Sequence, residues 1–210
     1  MNKFRNAVII IAIILFLDQV LKIWIKTNMF LGDEIKVFGD WFLIHFTENN
    51  GMAFGLEFGG VAGKIVLSVF RIFLISIIGR YIYILSKHNA PFGLVLSFAF
   101  VFAGALGNII DSAFYGIIFN DSTFKVAEFL PESGGYEGFL RGKVVDMFYF
   151  PIFKGNFPEW FPFWASDEFI FFRPVFNIAD TSISIGVLSI IIFHRTYLQD
   201  KLIYKKQTVK

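Results

Sequence analysis

The sequence predicts an all-α polytopic membrane protein with four transmembrane helices and two long segments on one side of the bilayer. Three observations predict it. The chain of 210 residues is 56% hydrophobic with 30 Phe, and its mean hydropathy is +0.63. A soluble domain is nearer half apolar, so this excess requires lipid to cover it. Four stretches approach the roughly 20 apolar residues that a span needs. Lys and Arg gather at one set of helix ends.

The first span is expected at 7–25, where the core AVIIIAIILFL follows the basic MNKFRN. A secretory leader shares that pattern, but here no small-residue cleavage site follows and the helix runs on through Asp18, Gln19 and Lys22. The second span is expected at 62–85, with Arg71 and Arg80 inside it. The third is expected at 92–112, where Pro91 suits the first turn after SKHNAP. The fourth is expected at 175–193. Lys3, Arg5, Lys87, Arg195, Lys201, Lys205, Lys206 and Lys210 all fall on one side. Both termini are therefore expected in the cytoplasm, with segments 26–61 and 120–173 outside.

Within the outer segments, Trp41–Phe46 reads as a strand, and Gly51, Gly55, Gly59 and Gly60 break the chain into turns. The run 148–176 is crowded with aromatics and reads as a segment lying along the membrane surface. The polar stretch 120–143 reads as a hairpin or mobile flap. No internal repeat is visible.

Net charge of +2 argues against nucleic acid as a partner, and the absence of Cys excludes disulfides, thiolate metal sites and a Cys nucleophile. Three scattered His residues make a zinc centre improbable, and no cofactor or metal is expected.

Ionisable groups inside a membrane helix cost about 2.5–3.5 kcal/mol each on insertion scales, so they mark a partner or a wet cavity. Asp18 and Lys22 share a helix face; they read as a self-neutralising pair or as shapers of a site. Asn49-Asn50-Gly51 reads as a hairpin turn or as a strand edge that grips an extended peptide. Asn108 and Asp111 share a face below the stripe Ala99, Ala103, Gly107, which permits close helix approach. Asp146 sits in an apolar run, between Val144-Val145 and Met147-Phe148. Asn177 and Asp180 share one face at the start of the fourth helix; capping is the commoner reading of an acid at a helix start, and the place of Asp180 a turn further in weakens it. These clusters fall toward the outer helix ends. Two close carboxylates share a proton and can activate water on a carbonyl. A proton-relay transporter would instead place its acids near the midplane on inverted repeats, and a scaffold would tolerate Asn at 146 and 180.

The chain resembles the lipoprotein signal peptidases (signal peptidase II), bacterial membrane aspartyl proteases. Five motifs in order carry the resemblance: Asp18-Gln-x-x-Lys22, Asn49-x-Gly51-x-Ala53-Phe54, Gly107-Asn108-x-x-Asp111, Val144-Val-Asp146 with Phe148, and Phe176-Asn177-x-Ala179-Asp180. The resemblance implies Asp146 and Asp180 as the catalytic pair. It implies supporting roles for Asp18, Lys22, Asn49, Gly51, Asn108, Asp111 and Asn177. It implies a diacylglyceryl-modified prolipoprotein as substrate, cut before the lipidated Cys, with membrane lipids as surroundings and globomycin as an inhibitor. It implies one peptidase domain over 1–210 in the bacterial cytoplasmic (inner) membrane, active at the outer leaflet. It also implies a small extracytoplasmic β-cradle near 35–60 and a small surface helix near 148–172. Three features depart from the family pattern. Ser112 stands where Arg is usual, leaving Arg141 or Arg173 to supply its ion pair; Met52 replaces Ala; and 117–143 and 150–173 are long, suggesting a lid or a passive insertion.

Overall fold

The computed structural model describes residues 2–50, 60–88, 90–156, 159–160, 168–171, 173–197 and 199. The chain forms two compact units, Met1–Val20 with Gly59–Ile110 and Ile178–Lys210, and Leu21–Phe58 with Asp111–Asn177.

The first unit is helical: the start of α1 (Lys3–Asn28), α2 (Gly60–Lys87), α3 (Phe92–Ile110) and α5 (Ile178–Phe193). Lys3–Asn28, Ala62–Lys87 and Phe92–Ile118 are long and apolar enough to cross a membrane. The fourth expected span is shorter than predicted. Val175–Phe176 forms a strand, so α5 has 16 residues, roughly 24 Å at the α-helical rise. That is apolar but short of a bilayer's hydrocarbon core of about 30 Å. Large apolar side chains point outward along these helices, among them Ile13, Phe16, Val66, Phe73, Leu188 and Ile192. A water-soluble helix would turn such residues inward; a lipid-facing one does not need to.

Small residues decide how α3 meets α5. Ala99, Ala103 and Gly107 of the predicted stripe are all buried. A methyl group built on Gly104 would collide with the Ala179 carbonyl oxygen, and one on Gly186 would lie 2.6 Å from the Ser97 carbonyl oxygen. The close approach lets the Ser182 hydroxyl donate to the Phe100 carbonyl (2.7 Å) and brings the Ser97 and Ser189 hydroxyls to 2.9 Å. Such interhelical polar contacts replace the hydrophobic drive that lipid removes. Gly104→Ala is accordingly expected to destabilise the protein by about 1–3 kcal/mol through overpacking. Thermal unfolding in nanodiscs checks this; an unchanged midpoint would show that the helices can separate freely.

The second unit is built on a sheet, so the all-α expectation is too narrow for it. Strands β1 (Glu34–Phe38), β2 (Phe42–Asn49), β3 (Val144–Tyr149) and β6 (Val175–Phe176) form an antiparallel sheet in the order β1-β2-β3-β6. The predicted strand at 41–46 is the first part of β2. Thr47 pairs with Asp146 and Asn49 with Val144, beyond an irregularity between Ile44 and Thr47. β3 is buried from Val144 to Met147, which explains why its sequence is nearly continuously apolar. Phe42 stacks on Phe150 with centroids 4.6 Å apart, and Phe148 meets Phe176 edge-on. The core below gathers Ile25, Met29, Phe46, Tyr115, Phe119, Val145 and Met147.

Two expectations are corrected here. The described part of 148–172 is extended rather than helical: β4 (Phe153–Asn156) pairs with β5 (Glu168–Phe171). The stretch 120–143 forms no extended strand pair, its β pairing being limited to an isolated antiparallel bridge between Phe119 and Phe129, and its backbone is hydrogen-bonded to other segments at many points. Ala127 N–H donates to the Lys26 carbonyl, Leu31 N–H to the Ser122 carbonyl and Gly142 N–H to the Ser112 carbonyl. Ser112 is the second residue of a π-helical turn, Asp111–Tyr115, that continues into a single turn, α4 (Gly116–Ile118).

Candidate active site

Asp146 lies in the middle of β3 with 4% of its surface exposed. One carboxylate oxygen accepts a hydrogen bond from Asn177 Nδ2 at 2.7 Å, and the other accepts from Asn49 Nδ2. The positions follow from the sheet. Asn49 ends β2 opposite Val144, and Asn177 follows directly on β6, which pairs with β3. Asn177 also donates to the Val145 carbonyl at 3.1 Å. Its side chain therefore locks the backbone and the carboxylate of consecutive residues.

Asp111 opens the π-helical turn. Its side chain and that of Lys22 are both fully buried, and they form an ion pair at 2.7 Å. The same carboxylate accepts the Val145 N–H at 3.3 Å. Lys22, Asp111 and the residue preceding Asp146 thus form one chain of polar contacts. A methyl on Gly142 would overlap the Asp111 carbonyl oxygen, so this approach depends on glycine.

In the first unit, Asp180 stands in the first turn of α5 and accepts a hydrogen bond from Asn108 Nδ2 at 2.8 Å. The guanidinium of Arg71, on α2, acts on Asp180 electrostatically. Asp18, buried, accepts the Ala179 N–H at 3.0 Å. It caps the α5 N-terminus from another helix, where an N–H without an acceptor would be costly in lipid. Gln19 holds that carboxylate at 3.1 Å while also reaching the Gly107 carbonyl at 3.3 Å. Among the predicted residues, Asn49, Asp146, Asn177, Lys22 and Asp111 come together in the second unit, and Asp18, Asn108 and Asp180 belong to the first. Gly51, with Met52, Ala53 and Phe54 of the same motif, lies outside the described residues. Ser112 is buried, Arg141 pairs with Glu137 at 3.2 Å, and Arg173 is exposed.

The sequence reading missed Lys26. Its ammonium is buried and ion-pairs with Glu48, the neighbour of Asn49. It also donates to Ser122 Oγ at 2.8 Å and lies near the rings of Phe46, Phe119 and Tyr136. Lys143 approaches the same Glu48 at 3.5 Å. The signal was present: Asp18, Lys22 and Lys26 recur every four residues along one helix face. Tyr136 closes this cluster, and its hydroxyl accepts the Lys143 N–H at 2.7 Å. Burial pushes the Tyr136 phenol well above its ordinary 10.0, outweighing the opposing effect of that hydrogen bond. A raised pKa gives stability that is complete below pH 10.0 and is lost as pH rises toward the folded value. Phenolate absorbance should show the parent losing stability above that pH, with Tyr136→Phe lacking this slope. Parallel slopes in the two proteins would refute the assignment.

The profile describing Signal peptidase (SPase) II matches residues 10–196. The chain belongs to the signal peptidase II family. The lipoprotein signal peptidase of Porphyromonas gingivalis is 49% identical over 189 residues, covering 87% of this chain and 80% of that protein. The lipoprotein signal peptidase of Amoebophilus asiaticus is 38% identical over 186 residues, covering 87% and 75%. Two solved bacterial membrane enzymes share the fold with TM-scores of 0.56. One is 24% identical, covering 93% of this chain and 89% of its own; the other is 28% identical, covering 89% and 90%. As a signal peptidase II, the protein is a membrane-embedded hydrolase of the protease class, with apolar helices and a small antiparallel sheet.

Proposed function

We propose that this signal peptidase II removes the signal peptide from diacylglyceryl-modified prolipoproteins, cutting before the lipidated Cys with Asp146 and Asp180 as an aspartate pair. The observation that carries the reading is the setting of Asp146. A carboxylate buried in an apolar strand, held on both oxygens by the amides of Asn49 and Asn177, is positioned and has no role in solubility. Asp180 is held in the same manner by Asn108.

The pair holds one proton. The ionised member takes a proton from water as its oxygen attacks the scissile carbonyl carbon, and the protonated member donates to the carbonyl oxygen. Collapse of the tetrahedral intermediate returns a proton to the leaving amine. Asn108 and Asn177 orient the two acids. Lys22 and Asp111 fix β3, Asn49 and Gly51 have a supporting role in taking the substrate backbone, and Asp18 holds the start of α5. The whole chain acts as one peptidase domain in the bacterial inner membrane, termini in the cytoplasm and active site near the outer leaflet. The substrate's lipid stays in the bilayer throughout.

Purified protein incubated with a diacylglyceryl-modified precursor is expected to release the signal peptide. A chelator should leave turnover unchanged, and a globomycin-type cyclic peptide should block it. Failure to cut the lipidated precursor, or turnover that a chelator abolishes, would overturn the reading.

A further inference from the structure

The insertion 120–143 is fastened to the end of a membrane span. The span Phe92–Ile118 finishes in the π-helical turn and α4, whose last carbonyls lack intrahelical partners. The insertion supplies them. Leu130 N–H donates to the Ile118 carbonyl (2.7 Å), Glu137 N–H to Gly116 (2.8 Å) and Leu140 N–H to Ala113 (3.3 Å). Tyr136 N–H adds a bond to the Phe119 carbonyl at 2.9 Å. In hydrocarbon an unpaired carbonyl costs several kcal/mol, so a helix ending at the interface needs such a cap.

The capping segment has an unusual composition. Leu130 and Leu140 adopt φ of 52° and 63°, a region in which a residue with a Cβ is disfavoured by roughly 1–2 kcal/mol and glycine is the ordinary choice. Leu130 is nonetheless 64% exposed, Phe139 is 56% exposed and Phe129 is exposed beside them. Phe139 packs edge-on against Phe114 with centroids 5.8 Å apart. Phe114 and Ile117 are themselves exposed on the last turns of the span. The exposed apolar surface of the insertion is thus continuous with the flank of the transmembrane segment. In water, large apolar side chains on a strained backbone would have nothing to offset them.

We propose that the insertion is an interfacial wedge, with Phe129, Leu130 and Phe139 embedded in the headgroup–acyl boundary of the leaflet where the span ends. The partner is the lipid surface. Buried apolar rings and a leucine at that depth gain transfer free energy and tether the segment that leads into β3. The inference is independent of the aspartate-pair assignment.

The absence of Cys permits a clean test. Single Leu130→Cys and Phe139→Cys variants, with Glu132→Cys and Lys125→Cys as controls, carry a nitroxide in nanodiscs of phosphatidylethanolamine and phosphatidylglycerol. Dissolved oxygen, which partitions into lipid, should relax the labels at 130 and 139 several-fold more than a water-soluble nickel chelate does. The ratio should invert at 125 and 132. Nickel access at 130 and 139 equal to that at 132 would overturn the proposal. So would labels shielded from both reagents, which would show protein, a second copy included, covering the face.

Discussion

Asp180→Asn is expected to leave a folded membrane protein that no longer releases a signal peptide, with turnover lowered by about 10²–10⁴-fold or more. The substitution keeps size and shape. The Asn108 amide, 2.8 Å from Oδ1, can still donate to the new amide oxygen, so the α5 start keeps that contact. What is lost is a group that can carry and give up a proton. Asp146→Asn should abolish cleavage equally but cost more in stability. Asp146 accepts from an amide on each oxygen, and an Asn in its place presents one acceptor and one donor. One neighbouring amide then faces another N–H, a mismatch worth roughly 1–3 kcal/mol when buried. Cleavage of a lipidated precursor and unfolding in nanodiscs measure both effects. Wild-type turnover in either variant would refute the pair.

Lys22→Met is expected to destabilise the protein by about 3–5 kcal/mol, the cost of removing one partner of a buried ion pair. Both side chains are fully buried at 2.7 Å, so water cannot take over the carboxylate of Asp111. The loss should spread to activity, because Asp111 also accepts the Val145 N–H next to Asp146. The double variant Lys22→Met/Asp111→Leu is expected to regain much of the stability, since an apolar replacement of both partners removes the charge that was stranded. It should not regain activity, because the strand has lost its acceptor. Thermal unfolding and cleavage on the four members of this cycle separate the two contributions. Equal stability of Lys22→Met and parent would refute the account.

The spans were legible because their signal is local. Twenty apolar residues in a row, or basic residues at one set of ends, can be read without knowing any partner. The strand at 42–49 was legible in part for the same reason. The fourth helix was read too long because Val175 and Phe176 are as apolar as the helix that follows. Only pairing with Tyr149 and Phe148 makes them a strand. Within the described part of 148–172, Phe153–Asn156 and Glu168–Phe171 pair as strands rather than forming the expected surface helix, because aromatic residues suit an interfacial helix and a strand equally.

The motif residues themselves were visible as polar groups in apolar surroundings, and sequence alone was enough to single out Asp18, Lys22, Asn49, Asn108, Asp111, Asp146, Asn177 and Asp180. Their partners were not visible. Asn49 reaches Asp146 across 97 positions, and Asp18 reaches the Ala179 N–H across 161. A side chain's hydrophobicity travels with its residue, so composition and spacing decide which segments enter lipid. A hydrogen-bond partner exists only after the chain has closed a long loop and set a strand register. The tertiary structure alone therefore decided which amide holds which carboxylate, and that Lys26 belongs beside Glu48.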